Sequence, residues 1–333
     1  NILGFFMRNL EPGSDADHPN SPPAYLQFGP QSPMAKLGKE ALQVTPTGQV
    51  ATSYPGCATV HSLNLERAEK ILLVKPPAMT TAALGVAVRE VTGADAVPGA
   101  SKFGPDALTK KSGTSVLTLD GFGLQGVLAV PKATGRHPAV ILLVPDSIGG
   151  TSAIDHANKV EFARLATAGN VVLAFTPRPS PPGWDDMKSP VLGPIYLLSL
   201  RAELVGKTLV GLRVDDVIRA TDYLAQRSDV DPRRISAVGS GHMGLVLMHA
   251  GVLDARLRNI TVDHVLESYR SLLDAPAPIG APEDVIPGVL RRYDIPDIAR
   301  VLGVRLTERD PLPGTADLSQ LSTPLATLEA PPK

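Results

Sequence analysis

The chain has 333 residues, 43 % of them hydrophobic and 20 % charged, which is enough apolar material for a large core and excludes wholesale disorder. Lys and Arg total 32 against 33 Asp and Glu, a net charge of −1, so recognition of nucleic acid through a basic surface is not indicated. The single cysteine, Cys57, excludes an internal disulfide and a cysteine-rich zinc site, and no apolar run approaches the ~20 residues of a membrane-spanning helix.

The chain starts at Asn1 without a basic, then apolar, leader pattern, which predicts a mature form or a piece of a longer polypeptide. Residues 1–10 (NILGFFMRNL) predict a short amphipathic helix, and residues 11–35 have the Pro, Ser, Asp and Gly content of a linker. Short β-like patches broken by Pro and Gly are expected across 43–62. A helix is predicted from Asn64, as its cap, to about Val74, and another from Thr80 to Val91. Residues 93–113 read as loop.

The texture then changes. Residues 115–120 (SVLTLD) and 124–130 (LQGVLAV) predict a hairpin. The unalternating run 138–145 (PAVILLVP) suits a strand buried on both faces of a parallel sheet. A helix at 153–168, a strand at 171–176 and a Pro-rich loop follow, then one long helix from about Arg201 to Arg227. Strands are predicted at 234–238, 259–265 and 304–308, with helices at 242–253 and 295–302 between them. A hairpin followed by alternating strands and helices predicts an α/β fold, a mostly parallel sheet with helices on both faces, preceded by a mixed N-terminal segment. Sites in such sheets lie at the carboxyl ends of the strands.

The most informative stretch is Arg234-Ile-Ser-Ala-Val-Gly-Ser-Gly-His-Met-Gly244, where a β-branched strand runs into a Gly-rich turn and an apolar helix. This is the setting of a nucleophile elbow. With the hairpin and the later βα units, residues 115–310 resemble the α/β-hydrolase fold. The finer resemblance is to bacterial acetyl-xylan-esterase-like and dienelactone-hydrolase-like proteins, carried by residues 204–216 (LVGKTLVGLRVDD), 230–235 (VDPRRI) and 293–297 (YDIPD). Phe5 to Leu10 resembles the closing helix of such esterase domains. The resemblance implies that the start of the chain is the tail of an upstream hydrolase domain, and that the main domain is the second, degenerate member of a tandem pair. The expected division is 1–35 (tail and linker), 36–113 (connecting segment), 114–312 (hydrolase-like domain) and 313–333 (Pro-rich tail).

The departure from the family pattern matters more. Aligning Gly239 with the first glycine of G-x-S-x-G puts Gly241 at the nucleophile position and Met243 at the second small position. Glycine has no side chain with which to attack an acyl carbon. Ser240 is the alternative nucleophile, but its flanking small positions are then Val238 and His242. The acid of the family triad follows a late strand, which makes Asp310 the candidate, with Asp263 and Glu267 as weaker ones. No histidine follows Asp310, so the usual general base is missing. His242 sits in the first turn of the helix, where the dipole disfavours its charged form, and polar packing at the sheet edge is its expected role; His264 is a further alternative base. Asp146 and Ser147, in the Gly-rich turn after the third strand, are oxyanion-hole candidates.

No metal is expected, because HExxH, paired Cys/His spacing and an acidic calcium loop are all absent. Gly239 to Gly244 spells G-x-G-x-x-G, the basis of a nucleotide-binding oxidoreductase alternative, but it lies in mid-sheet without the usual acid at a second strand end. No cofactor is expected. The sequence thus predicts an esterase-like domain without a working triad, serving a structural or substrate-binding role; the alternative is an active carboxylic-ester hydrolase using Ser240. The resemblance implies an upstream hydrolase domain or second subunit as partner, a carbohydrate ester as ligand, and a secreted or periplasmic address.

Overall fold

The computed structural model describes residues 39–72, 78–103, 108–111, 114–119, 122–145, 156–178 and 193–318. Two compact units divide the chain, residues 1–59 and 60–333. The expected helix over 1–10 and the linker over 11–35 lie outside the described residues, as do residues 319–333 of the expected Pro-rich tail; its start is described, with Leu318 buried in the core and its N–H donating to Ile279 O. In the first unit the β patches expected after residue 43 are not strands. Lys39–Leu42 and Val50–Ser53 form single helical turns. The Thr47 hydroxyl reaches Gln49 O at 3.1 Å and Ser53 Oγ at 2.7 Å. Such local bonds compete with a strand ladder and favour turns.

The second unit holds an eight-stranded sheet. Its strands are β1 (Leu108–Lys111), β2 (Thr114–Leu119), β3 (Phe122–Ala129), β4 (His137–Leu143), β5 (Val171–Phe175), β6 (Val230–Ser240), β7 (Leu257–Asp263) and β8 (Leu306–Arg309). They lie in the order β1-β2-β3-β5-β4-β6-β7-β8. β1 to β3 form an antiparallel meander, and β3 runs antiparallel to β5. β5, β4, β6, β7 and β8 are parallel. The order reverses between β4 and β6, the switch point at which open α/β sheets place their crevice.

The helices are α1 (Val60–Leu72), α2 (Thr81–Thr92), α3 (His156–Thr167), α4 (Gly193–Leu204), α5 (Leu209–Gln226), α6 (Gly241–Leu253) and α7 (Ile295–Leu302). Both faces of the central strands are covered, which is why β4 is an unbroken apolar run. Ala139, Ile141 and Leu143 enter the core formed with α2, α5, α6 and α7. Val140, Leu142 and Val144 pack on the other face with Leu165 of α3. Every residue of α6 from Gly241 to Val252 is buried, so this helix is enclosed on all sides and is apolar except at His242 and His249. Among the described residues no helix is long and apolar enough to cross a membrane.

Several boundaries differ from expectation. α1 begins at Val60, so Asn64 lies within the helix and does not cap it. β1 occupies part of the segment read as loop, pairing with β2. The long helix expected from Arg201 is two helices, and the first starts at Gly193. Gly206 between them is left-handed (φ 71°), and the Thr208 side chain accepts a hydrogen bond from Gly211 N, restarting the helix as α5.

The segment after α2 is stitched to α5 by buried carboxylates. Asp215 Oδ1 accepts hydrogen bonds from Asp95 N (2.9 Å) and Ala96 N (2.8 Å). Asp222 accepts from Gly99 N and Ser101 N. Asp216, whose carboxyl burial pushes up to about 6 against the pull of Arg178, pairs with that guanidinium at 2.8 Å. The acidic pair at 215–216 is therefore structural.

Candidate functional site

The site forms where β6, β7 and β8 end beside one another. β6 enters the turn through Gly239, and a Cβ there would lie 2.9 Å from Leu247 Cδ1 and 3.2 Å from the Met243 carbonyl carbon. Gly241 stands on the crest with φ 51°. This left-handed geometry is the strained elbow conformation, which an L-residue adopts only at a cost. The second close approach falls at Gly244, where a Cβ would be 2.5 Å from Val265 Cγ2, while Met243 is buried in the core. The elbow is intact as backbone, and the residue at its apex has no side chain.

Ser240 does not occupy the crest. It is the last residue of β6, extended (φ −125°, ψ 161°), nearly buried, and its side chain makes no capping bond to α6. It is paired in register with Asp263 of β7.

His242 differs from expectation. Its ring is buried between two carboxylates, with Nδ1 2.8 Å from Asp284 Oδ1 and Nε2 3.4 Å from Glu283 Oε2. Arg213 of α5 holds the other Glu283 oxygen at 2.6 Å. Desolvation opposes charge on this imidazole, but Asp284 and Glu283 outweigh it and raise its pKa to about 9. Two buried carboxylates prevail over the helix dipole, so His242 is charged at neutral pH. An imidazolium has no lone pair with which to accept a proton, so His242 is not placed to act as a base. Glu283 is held below the usual carboxylate range: its burial acts the other way, but Arg213 and His242 prevail.

The chemistry-bearing side chains at the strand ends are Asp263, His264 and Asp310. His264 Nδ1 lies 2.8 Å from Asp263 Oδ1. One ligand atom from each of Asp263, His264 and Asp310 lies within 4.8 Å of the others. Asp263 is buried, His264 half-buried and Asp310 exposed. Such a set can hold a cation through two oxygens and a nitrogen, or orient an imidazole beside a carboxylate. Each residue is visible in the sequence. Their convergence comes from consecutive parallel strands ending side by side, the signal that could have joined them. The buried group of Arg213, His242, Glu283 and Asp284 had no such signal, because its members are dispersed over 72 positions (213 to 284). Asp146 and Ser147 lie outside the described residues.

No protein-family model matches the chain. A 55-residue stretch is 38 % identical to the "putative hydrolase YtaP" of Bacillus subtilis, covering 16 % of this chain and 18 % of that protein's length. Among solved structures, the "putative acetyl xylan esterase" of Bacteroides fragilis superposes with a TM-score of 0.57 at 14 % identity, covering 77 % of each chain. A glucuronoyl esterase from Solibacter usitatus is similar over 75 % of each chain at 18 % identity, with a TM-score of 0.42. Strand order, elbow and superposition agree: the chain has the α/β-hydrolase fold.

Proposed function

We propose that this chain is an esterase-like α/β-hydrolase domain that does not carry out acyl-enzyme chemistry of its own. It serves as the structural or ligand-binding companion of a catalytic hydrolase domain acting on carbohydrate esters. The observation that carries this reading is Gly241 on the crest of the elbow at φ 51°. An acyl-enzyme needs an oxygen or sulfur at that point to form the bond to the substrate carbonyl. The engagement of both His242 nitrogens by Asp284 and Glu283 supports it. The carbohydrate-ester ligand is suggested by the likeness to the "putative acetyl xylan esterase" of Bacteroides fragilis, and the tandem arrangement by the esterase-like residues 5–10.

The test is incubation of the full chain with a fluorophosphonate probe and, separately, with p-nitrophenyl acetate. No covalent adduct and no acetate release above the uncatalysed rate are expected. One observation favours the second reading, an active ester hydrolase: the His264–Asp263 pair stands at the end of the strand beside Ser240. That reading requires turnover that disappears in Ser240→Ala, and such a result would displace the first.

A further inference from the structure

A cavity of about 550 Å³ lies between α1 and the single-turn helices of residues 270–291. It shares no lining residue with the elbow or with the Asp263–His264–Asp310 group. Val60 and Ile71 of α1 form one side, and Leu272, Ile286 and Leu290 stand among the residues of the other. His61 is the seam between the two sides, its Nε2 donating to Leu273 O at 2.8 Å. None of the lining residues is a carboxylate, and Arg291, exposed in a single-turn helix, supplies a cation at the edge.

We propose that this cavity binds an aliphatic carboxylate of about eight to twelve carbons, its chain among the apolar side chains and its head group at Arg291; the volume lies within the range of small-molecule sites. A sugar is a poor fit, because among the lining side chains only His61, Asn64, Tyr269 and Arg291 are polar and His61 Nε2 is already bonded to Leu273 O, too few partners for several hydroxyls. A cationic amphiphile is disfavoured by a fixed positive charge with no opposing carboxylate in the lining. The site is therefore a second one, of different ligand chemistry from the carbohydrate-ester reading of the elbow, and it does not depend on that reading.

The test is calorimetric titration of the full chain with decanoate and with decyltrimethylammonium, both kept below micelle formation. Decanoate is expected to bind one per chain with a Kd below about 1 mM, and the cation at least tenfold more weakly. Arg291→Glu, a change at an exposed position, is expected to reverse that preference. Leu272→Trp, which fills the cavity, is expected to abolish binding of both while the thermal transition persists. Failure of decanoate to bind, equal binding of the two amphiphiles, or decanoate affinity unchanged in Arg291→Glu overturns the proposal. None of these measurements reads the elbow, so their failure is distinguishable from turnover at Ser240.

Discussion

His264 and Asp310 follow the ends of two neighbouring strands, and both have a left-handed backbone, with φ of 52° and 42°. Among the described residues they are the non-glycine positions with positive φ. β7 and β8 pair up to Asp263 opposite Arg309, and the chains then bend together. Beyond the bend the pairing resumes, with Leu312 N donating to Val265 O at 2.8 Å and Glu267 N to Leu312 O at 2.9 Å. The double bend brings the His264 and Asp310 side chains beside Asp263. Asp and His tolerate the left-handed region better than branched residues do. Val at His264 or Asp310 is therefore expected to cost about 1–2 kcal/mol more than Gly at the same position, since both lose the same side-chain contacts and only Val strains the backbone. Urea denaturation of the four variants measures this. Equal losses for Val and Gly would show that side-chain contacts, and not the backbone, govern the bend.

The elbow gives a second contrast. Gly241 carries positive φ, whereas Ser240 is extended and does not cap α6 with its side chain. Gly241→Ala is expected to cost about 1–2 kcal/mol. Ser240→Ala is expected to cost under about 0.5 kcal/mol, against about 1–3 kcal/mol for Thr208→Ala, whose hydroxyl caps its helix and also donates to Thr92 O. Equilibrium unfolding orders the three, and a large loss for Ser240→Ala would reveal an interaction of that hydroxyl beyond the cap.

The central strands were legible because parallel strands buried on both faces leave an unbroken apolar run, as in Ala139 to Val144. The elbow was legible because close backbone approach demands glycine at 239 and 244. The break between α4 and α5 was obscured because Val205 to Thr208 carries one glycine in an otherwise helical pattern, and an isolated glycine does not by itself end a helix. The charge state of His242 departs from the expectation for a different reason. The local helix dipole is visible in sequence, but Asp284 and Glu283 reach the ring only through the fold.

That ring sets a pH dependence. Below its ordinary pKa of 6.5, His242 is protonated in the folded and unfolded chains alike, and the ion pairs contribute fully. Between 6.5 and about 9 the folded chain retains a proton the unfolded chain has lost, so stability falls as pH rises. The total loss across this window is on the order of 3 kcal/mol. Glu283, whose pKa folding lowers from 4.5, acts in the opposite sense: its contribution is present above 4.5 and is lost as pH falls through its folded value. Urea unfolding from pH 6.5 to 10 is expected to show this alkaline decline; at lower pH Asp216, raised to about 6, acts against Glu283 and gains stability as pH falls. In His242→Gln the alkaline decline flattens, and overall stability drops by about 3–5 kcal/mol because Asp284 is left buried without its cation. An unchanged alkaline slope in that variant would assign the decline to another group.

Gly211 records how tightly α2 and α5 are joined. The Thr92 carbonyl at the end of α2 accepts hydrogen bonds from Thr208 N at 3.0 Å and from the Thr208 hydroxyl at 2.9 Å. These bonds draw the carbonyl over the first turn of α5, where a Cβ on Gly211 would lie 2.1 Å from Thr92 O and 2.8 Å from Thr92 C. Both obstacles are backbone, so no side-chain rotation relieves them. Accommodation requires α2 to move away, which breaks the two bonds to Thr208 and disturbs the packing of Leu84 and Val88 in the core. Alanine is intrinsically the better helix former by about 1 kcal/mol, yet Gly211→Ala is expected to destabilise the chain by about 1–3 kcal/mol net. At Gly85 of α2 the nearest atom to an added Cβ is Leu253 Cδ2 at 3.8 Å, an ordinary contact, and Gly85→Ala is expected to stabilise by about 0.5–1 kcal/mol. Thermal or urea unfolding of the two variants side by side separates helix propensity from interhelical crowding, and stabilisation by both would mean that α2 yields freely at Thr92.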